Sequence, residues 1–93
     1  MDPVAQAVKN IIKEQQTIMG PIALEQAKKV QGISFKASED LEIIGDHKTV
    51  LNNLINQYAK IFGQASVQVC KEAFEQFQDK IPRNQVPEIL VTH

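Results

Sequence analysis

The sequence predicts an all-α, single-domain protein of four main helices, arranged as two helix-corner-helix pairs. Three observations carry this prediction. Apolar residues recur at helical spacing over several long stretches. The four glycines all fall at the edges of those stretches, where a helix has to end. The chain of 93 residues is long enough for one domain and too short for two.

The first helix is predicted over residues 3–19. Asp2 can cap its first N–H groups, and Pro3 suits the first turn because the missing N–H of proline is not needed there. The apolar stripe of this helix contains Val4, Val8, Ile11, Ile12, Ile18 and Met19. Gly20 and Pro21 interrupt the stripe, since proline disfavours helical geometry in the residue before it. We therefore expect a sharp corner here rather than a kink in one long helix.

The second helix is predicted over residues 21–31, with Gly32 as a left-handed cap at its C-terminal end. Residues 33–46 follow without a clear helical pattern. Ile33 and Phe35 alternate with polar residues, which is typical of a short extended piece. We interpret the remainder as a solvated connection. Its apolar residues are expected to point inward: Leu41, Ile43 and Ile44.

The third helix is predicted over residues 47–62, with Asp46 as its N-cap and the corner Gly63 at its end. The fourth helix is predicted over residues 65–80, and Pro82 stops it. Apolar residues of the third and fourth helices again follow helical spacing. Both helices therefore bury one face.

The helical domain is expected to span residues 1–81, and residues 82–93 are expected to form a C-terminal tail. This tail contains two prolines and is too short for a domain of its own. We interpret it as loosely ordered, or as docking onto the helices in extended form.

The two helix pairs resemble each other when the chain is shifted by 43 residues. Five of 23 aligned positions are then identical, and Gly20 coincides with Gly63. Two alternatives stay open. The pairs form an internal repeat about a pseudo-twofold axis, or they are two amphipathic hairpins that share a period because all such hairpins do.

An apolar pocket between the helix pairs is one candidate site. Its lining would come from Ile18, Met19, Tyr58, Phe62 and Cys70. Cys70 lies on the apolar stripe of the fourth helix, where a free cysteine is usually a small hydrophobic residue. It has no histidine or second cysteine at a metal-ligand spacing. We therefore expect neither a reactive thiol nor a metal ligand at this position.

His47 is the candidate for phosphotransfer chemistry. Phosphotransfer domains are helical bundles with an exposed histidine in mid-helix, whereas His47 is predicted in the first turn of its helix. An ordinary surface histidine is the better interpretation, and His93 is terminal. With two histidines and one cysteine, nucleophilic catalysis has few candidate groups, so we do not expect an enzyme.

Several ligand classes find little support in the composition. The net charge of -1 and a single arginine argue against nucleic acid as a partner. No apolar run approaches the roughly 20 residues that span a bilayer, so we expect no membrane contact. An acidic stretch lacks the ligand spacing of a calcium loop: Glu39, Asp40, Glu42 and Asp46. We expect no metal and no cofactor.

A short motif spans the first predicted corner: Ile18-Met19-Gly20-Pro21-Ile22-Ala23. It resembles an I-G-P-I-A-type motif of small helical domains in bacterial, especially cyanobacterial, signalling proteins. The likeness covers residues 11–30. Those domains look like appended modules, so the resemblance implies a regulatory or interaction role and offers no catalytic residue to carry over. It also implies that Gly20 and Pro21 form a structural corner.

The function that we expect is protein interaction or regulation by a small cytoplasmic module without catalytic activity. The cytoplasm fits the single cysteine and the lack of a signal-peptide pattern. Eleven glutamines, among them Gln15 and Gln16, form polar helix faces with little charge, which are compatible with helix association. The partner is another protein or a second copy of the chain. Two alternatives are a small-molecule sensor with the apolar pocket and, less favoured, a phosphotransfer protein.

Overall fold

The secondary structure follows the predicted order of helices, with a small sheet inserted between the second and the third. The computed structural model describes residues 2–36 and 40–91. Its elements in that part of the chain are α1 (Pro3–Met19), α2 (Ile22–Lys28), β1 (Ile33–Phe35), β2 (Leu41–Ile43), α3 (His47–Phe62), α4 (Gln64–Glu75), two 3-10 turns (Gln78–Lys80 and Arg83–Gln85) and α5 (Glu88–Val91). The all-α class with four main helices is confirmed, and the sheet is a minor addition.

Aspartate residues cap the two long helices, α1 and α3. The Asp2 carboxylate accepts a hydrogen bond from the backbone N–H of Val4 at 2.9 Å. The Asp46 carboxylate accepts from the Thr49 hydroxyl at 2.7 Å and from the Thr49 backbone N–H at 2.9 Å. Both bonds lower the pKa of Asp46, and the bond from the hydroxyl has the larger effect. Both caps satisfy backbone donors that the first turn of a helix leaves open.

Gly20 and Gly63 form the two corners with nearly identical backbone geometry. The φ and ψ angles are 65° and -146° at Gly20, and 65° and -147° at Gly63. The Gly20 N–H donates to the Gln16 carbonyl at 2.9 Å, and the Gly63 N–H donates to the Ala59 carbonyl at 2.8 Å. Each glycine thus closes the last turn of one helix while its positive φ redirects the chain, at little cost for a residue without a Cβ.

The four main helices form a ring in which α1 and α3 each pack against both α2 and α4. Two side-chain hydrogen bonds show that α1 and α4 run antiparallel. The Asn10 amide donates to the Ala73 carbonyl at 2.9 Å, and the Gln15 amide donates to the Ser66 carbonyl at 3.0 Å. Residue numbers rise along α1 as they fall along α4, so the end of α1 lies beside the start of α4.

The helices α2 and α3 pack in the same antiparallel sense. The Gln57 amide donates to the Gln26 side-chain oxygen at 2.7 Å, and the Tyr58 hydroxyl donates to the Ala23 carbonyl at 2.8 Å. Both corners therefore lie at the same end of the ring. We call this the corner end: the last turns of α1 and α3 together with the first turns of α2 and α4.

The core lies inside the ring and consists of residues from the predicted apolar stripes. Its largest members include Val8, Ile11, Ile12, Leu51, Leu54, Ile55, Tyr58 and Phe74. Three stripe residues in the last turns of α1 and α3 are exposed instead: Ile18, Ile61 and Phe62. Burial along the stripes of α1 and α3 is therefore incomplete in their last turns.

The hairpin between α2 and α3 is only partly indicated by the sequence, which does not predict its second strand. The strands pair antiparallel, with Ile33 opposite Ile43 and Phe35 opposite Leu41. These four side chains are partly buried against the core. The expectation that Ile44 points inward is wrong, because it is exposed. Successive side chains of an extended chain point to opposite faces, so Ile44 faces away from its neighbour Ile43.

Two helices are shorter than predicted, and the described part of the tail is docked. Beyond Lys28 and Glu75 the backbone tightens into bonds of 3-10 type instead of continuing α2 and α4. The tail is predicted to be loosely ordered or extended, yet residues 82–91 form short turns. There Val86 belongs to the core and Pro87 is fully buried. These short turns bring Val86 and Pro87 into the interior of the fold.

Candidate functional site

The predicted apolar pocket is divided between the core and the surface. Tyr58 and Cys70 are fully buried, and Met19 is nearly so. Ile18 and Phe62 are exposed at the corner end. Ile18 and Phe62 therefore do not line a pocket together with the other three side chains. They face solvent, although they lie in the last turns of α1 and α3.

Two hydrogen bonds of the same kind connect the helix pairs inside the core. The Tyr58 hydroxyl reaches the Ala23 carbonyl of the first pair, and the Gln15 amide reaches the Ser66 carbonyl of the second. Tyr58 follows Gln15 by 43 residues, and Ser66 follows Ala23 by 43 residues. This is the shift that aligns the two corner glycines. A pseudo-twofold arrangement predicts such matching contacts, and the repeat itself stays a prediction.

Gln15 is the functional candidate that the sequence analysis misses, because it assigns this residue to a polar face. The side chain is fully buried, and its amide nitrogen also lies 3.4 Å from the Cys70 sulfur. Its Oε1 atom is buried and has no hydrogen-bond partner among the residues that the structure describes. The position could have been found, since Gln15 lies four residues from both Ile11 and Met19 on the apolar stripe.

The buried Tyr58 and Cys70 predict that the fold weakens at alkaline pH. Burial raises the pKa of the Cys70 thiol to about 11, and it raises the pKa of the Tyr58 hydroxyl, to which the nearby Cys70 adds. A raised pKa in the folded state contributes stability at low pH that is lost as the pH rises. Above the ordinary thiol pKa of 9.0, we expect the unfolding free energy to fall by up to about 1.4 kcal/mol per pH unit because of Cys70. Tyr58 adds a fall of similar slope above the ordinary tyrosine pKa of 10.0. Urea denaturation at a series of pH values measures this fall.

The Cys70→Ala variant is the control for that prediction. It lacks the thiol and keeps the hydroxyl, so its unfolding free energy should begin to fall only above the ordinary tyrosine pKa of 10.0. A wild-type profile that stays flat up to pH 11, or an unchanged onset in the variant, contradicts the assignment of the alkaline loss to these two groups.

His47 connects three segments of the chain. Its Nδ1 atom lies 3.2 Å from the Gln85 side-chain oxygen, and its Nε2 atom lies 3.3 Å from a carboxylate oxygen of Asp2. The imidazole thus joins the start of α3 to the cap of α1 and to the tail. Both ring nitrogens have partners, which favours a structural role, and phosphotransfer stays an untested prediction. His93 lies outside the described residues.

The acidic residues before α3 have structural partners where they are described. Asp46 caps α3. The Asp40 carboxylate lies 3.8 Å from the Lys9 ammonium, and the Glu42 carboxylate lies 3.7 Å from the ammonium group of another lysine. Glu39 lies outside the described residues. In the part of the chain that the structure covers, no three histidine, cysteine, aspartate or glutamate side chains come together as metal ligands.

The corner end exposes four large apolar side chains together. Ile18 and Ile22 flank the first corner, and Ile61 and Phe62 precede the second. Ile18 is 59% exposed and Phe62 is 44% exposed. Ile18 and Ile61 are related by the shift of 43 residues, so both helix pairs contribute an isoleucine. Large apolar side chains that are exposed at one end of a fold can mark an interaction site.

No protein-family model, no curated protein and no solved structure matches this chain. Within residues 2–36 and 40–91, none of the helices is both long enough and apolar enough to cross a membrane. The function has to be inferred from the geometry of the corner end and of the surface around it.

Proposed function

We propose that this chain is a small interaction module that associates with a second copy of itself through the corner end. The observation that carries the proposal is the exposure of four large apolar side chains near the two corners. Such a module needs no catalytic group. The proposal includes the regulatory role that the resemblance to bacterial signalling domains implies, and the cytoplasmic location that the single cysteine favours.

The size of the corner end supports association with a partner of similar size. The molecule measures 32 × 30 × 20 Å, so one of its ends covers several hundred square ångströms. Each partner contributes about 800 Å² to a protein interface of ordinary size. A core as modest as that of a 93-residue chain also gains stability when apolar surface is covered by another subunit.

Charge and symmetry favour an identical copy as that partner. Residues 17–22 and 61–66, which surround the corners, contain no charged side chain. The charges of the corner end beyond them are one acid in the first turn of α2, Glu25, and one base in the last turn of α3, Lys60. These two charges balance, so two corner ends can meet without a net repulsion between them. Ile18 and Ile61 occupy matching positions in the two helix pairs, so each copy presents apolar side chains from both pairs. An isologous contact, in which the same surface is used by both copies, suits this arrangement.

The Ile18→Lys variant tests the proposal. In the wild-type protein we expect the mass measured by sedimentation equilibrium to rise from 10.4 kDa toward twice that value as concentration increases. A lysine at position 18 places one charge per copy in the apolar contact. We expect it to raise the dissociation constant of the dimer by at least about tenfold.

Ile44→Lys provides a matched control. Ile44 is 57% exposed, almost as much as Ile18, but it precedes α3 at a distance from the corners. This variant should associate as the wild type does. A wild-type protein that stays monomeric at about 1 mM, or an equal loss of association in both variants, overturns the proposal.

A further inference from the structure

A second surface feature, a groove beside the hairpin, lies outside the corner end. It has a volume of about 350 Å³ and is bounded by α1, α2 and the two strands. This volume lies within the range of about 300–1,000 Å³ that is typical of small-molecule sites. The floor is apolar: Ile12 is buried, and Leu24, Phe35 and Leu41 are partly buried.

One edge of the groove is polar and comes entirely from α1. Lys9, Lys13 and Gln16 line it at intervals of four and three residues, which places them on the same face of the helix. Ile12 lies between them on the apolar floor. The arrangement therefore sets two ammonium groups and one amide beside an apolar surface.

The two lysines are not neutralised equally. The Lys9 ammonium lies 3.8 Å from the Asp40 carboxylate, and both side chains are open to water, so this ion pair is weak. Lys13 has no carboxylate within ion-pair distance among residues 2–36 and 40–91. Among the described residues, Lys9, Lys13 and Asp40 together leave one positive charge at this edge, which matches an anion with one negative charge.

We propose that this groove binds a small amphiphilic carboxylate. The apolar part of the ligand lies on Ile12, Leu24 and Phe35, where its burial is favourable. Its carboxylate lies at the edge beside the ammonium groups of Lys9 and Lys13. A fully polar anion would leave the floor uncovered, and a neutral or cationic amphiphile would lack attraction to the lysines. This inference is independent of the proposed self-association, because it uses another surface.

Octanoate is the probe for the first test, in an NMR titration of the full-length ¹⁵N-labelled protein. For a ligand of this size in an open groove we expect a dissociation constant of about 1 mM. The shifted amides should belong to α1 and to the hairpin. Acetate lacks the apolar part, and octanol and octylammonium lack the negative charge. We expect each of these to bind at least about threefold more weakly.

Two charge variants test the edge of the groove in opposite directions. Lys13→Gln should weaken octanoate binding by about threefold, because one ion-pair partner is lost. Asp40→Asn should strengthen it by about twofold, because Lys9 loses its competing carboxylate. Lys48→Gln, at an exposed lysine in the first turn of α3, is the matched control and should bind as the wild type does.

The titration also separates this groove from the corner end as the place where an amphiphile binds. Shifts centred on Ile18, Ile22 and Ile61 would show that octanoate merely covers exposed apolar surface, and they would overturn the proposal. Equal affinity for octanol and octanoate, or an affinity that neither Lys13→Gln nor Asp40→Asn changes, overturns it as well.

Discussion

Replacing Tyr58 with alanine is expected to lower the free energy of unfolding by about 4 kcal/mol. Tyr58 is fully buried in the core, so the change leaves a cavity the size of an aromatic ring. It also removes the hydroxyl that donates to the Ala23 carbonyl. A domain of this length has a total stability of about 5–14 kcal/mol, so the variant loses a large share of it. Urea denaturation followed by circular dichroism measures the loss.

The Tyr58→Phe and Gln15→Leu variants separate the hydrogen bond from the packing. Tyr58→Phe keeps the ring and leaves the Ala23 carbonyl without its side-chain donor, so we expect a loss of about 1–2 kcal/mol. Gln15→Leu removes a hydrogen bond to Ser66 as well, but it also removes the buried Oε1 atom that has no partner among the described residues. We expect it to cost less than Tyr58→Phe. The opposite order would show that Oε1 is satisfied in solution.

Replacing Gly32 with alanine is expected to cost about 3 kcal/mol of unfolding free energy. The φ angle of Gly32 is +95°, which side chains rarely allow. A Cβ added here would lie 2.5 Å from the Cγ2 atom of Val50 and 2.9 Å from the backbone oxygen of Ile44. The Gly32 carbonyl also accepts the Ile44 N–H at 2.7 Å. The chain cannot move away from the clash without opening this contact at the base of the hairpin.

Gly45→Ala is a closely matched control for the clash at Gly32. Gly45 has the same φ of +95°, but a Cβ added there meets nothing within 4 Å. We therefore expect only the cost of the strained backbone, about 1 kcal/mol. If thermal or urea denaturation gives equal losses for the two variants, the close approach of Gly32 to Val50 does not limit the fold.

The helices are the part of the fold that could be predicted from the sequence. Helical periodicity marks which residues share a face, and the caps Asp2 and Asp46 mark where the long helices begin. Gly20 and Gly63 mark the corners because a positive φ is favourable for glycine and rare for residues with a Cβ. All these signals are local, so they can be read without knowing the packing.

The hairpin and the tail illustrate why other parts could not be predicted. Strands of three residues, such as Ile33–Phe35 and Leu41–Ile43, are too short to show an alternating pattern clearly. They are stable because they pair with each other and pack on the core. Val86 and Pro87 are buried for the same reason, since the helices offer a surface for them that no local pattern reveals.

Local sequence thus accounts for the all-α class, the four main helices and the corners, because propensity, capping and glycine geometry act within a few residues. The candidate site is formed by residues that are far apart in the sequence. Helical periodicity assigns Gln15 and Ile18 to faces but does not tell how far a neighbouring helix covers each face. Packing buries Gln15 against Ser66 and leaves Ile18 exposed, since α4 begins beside the last turns of α1. The corner end and the groove beside the hairpin exist only once these elements meet.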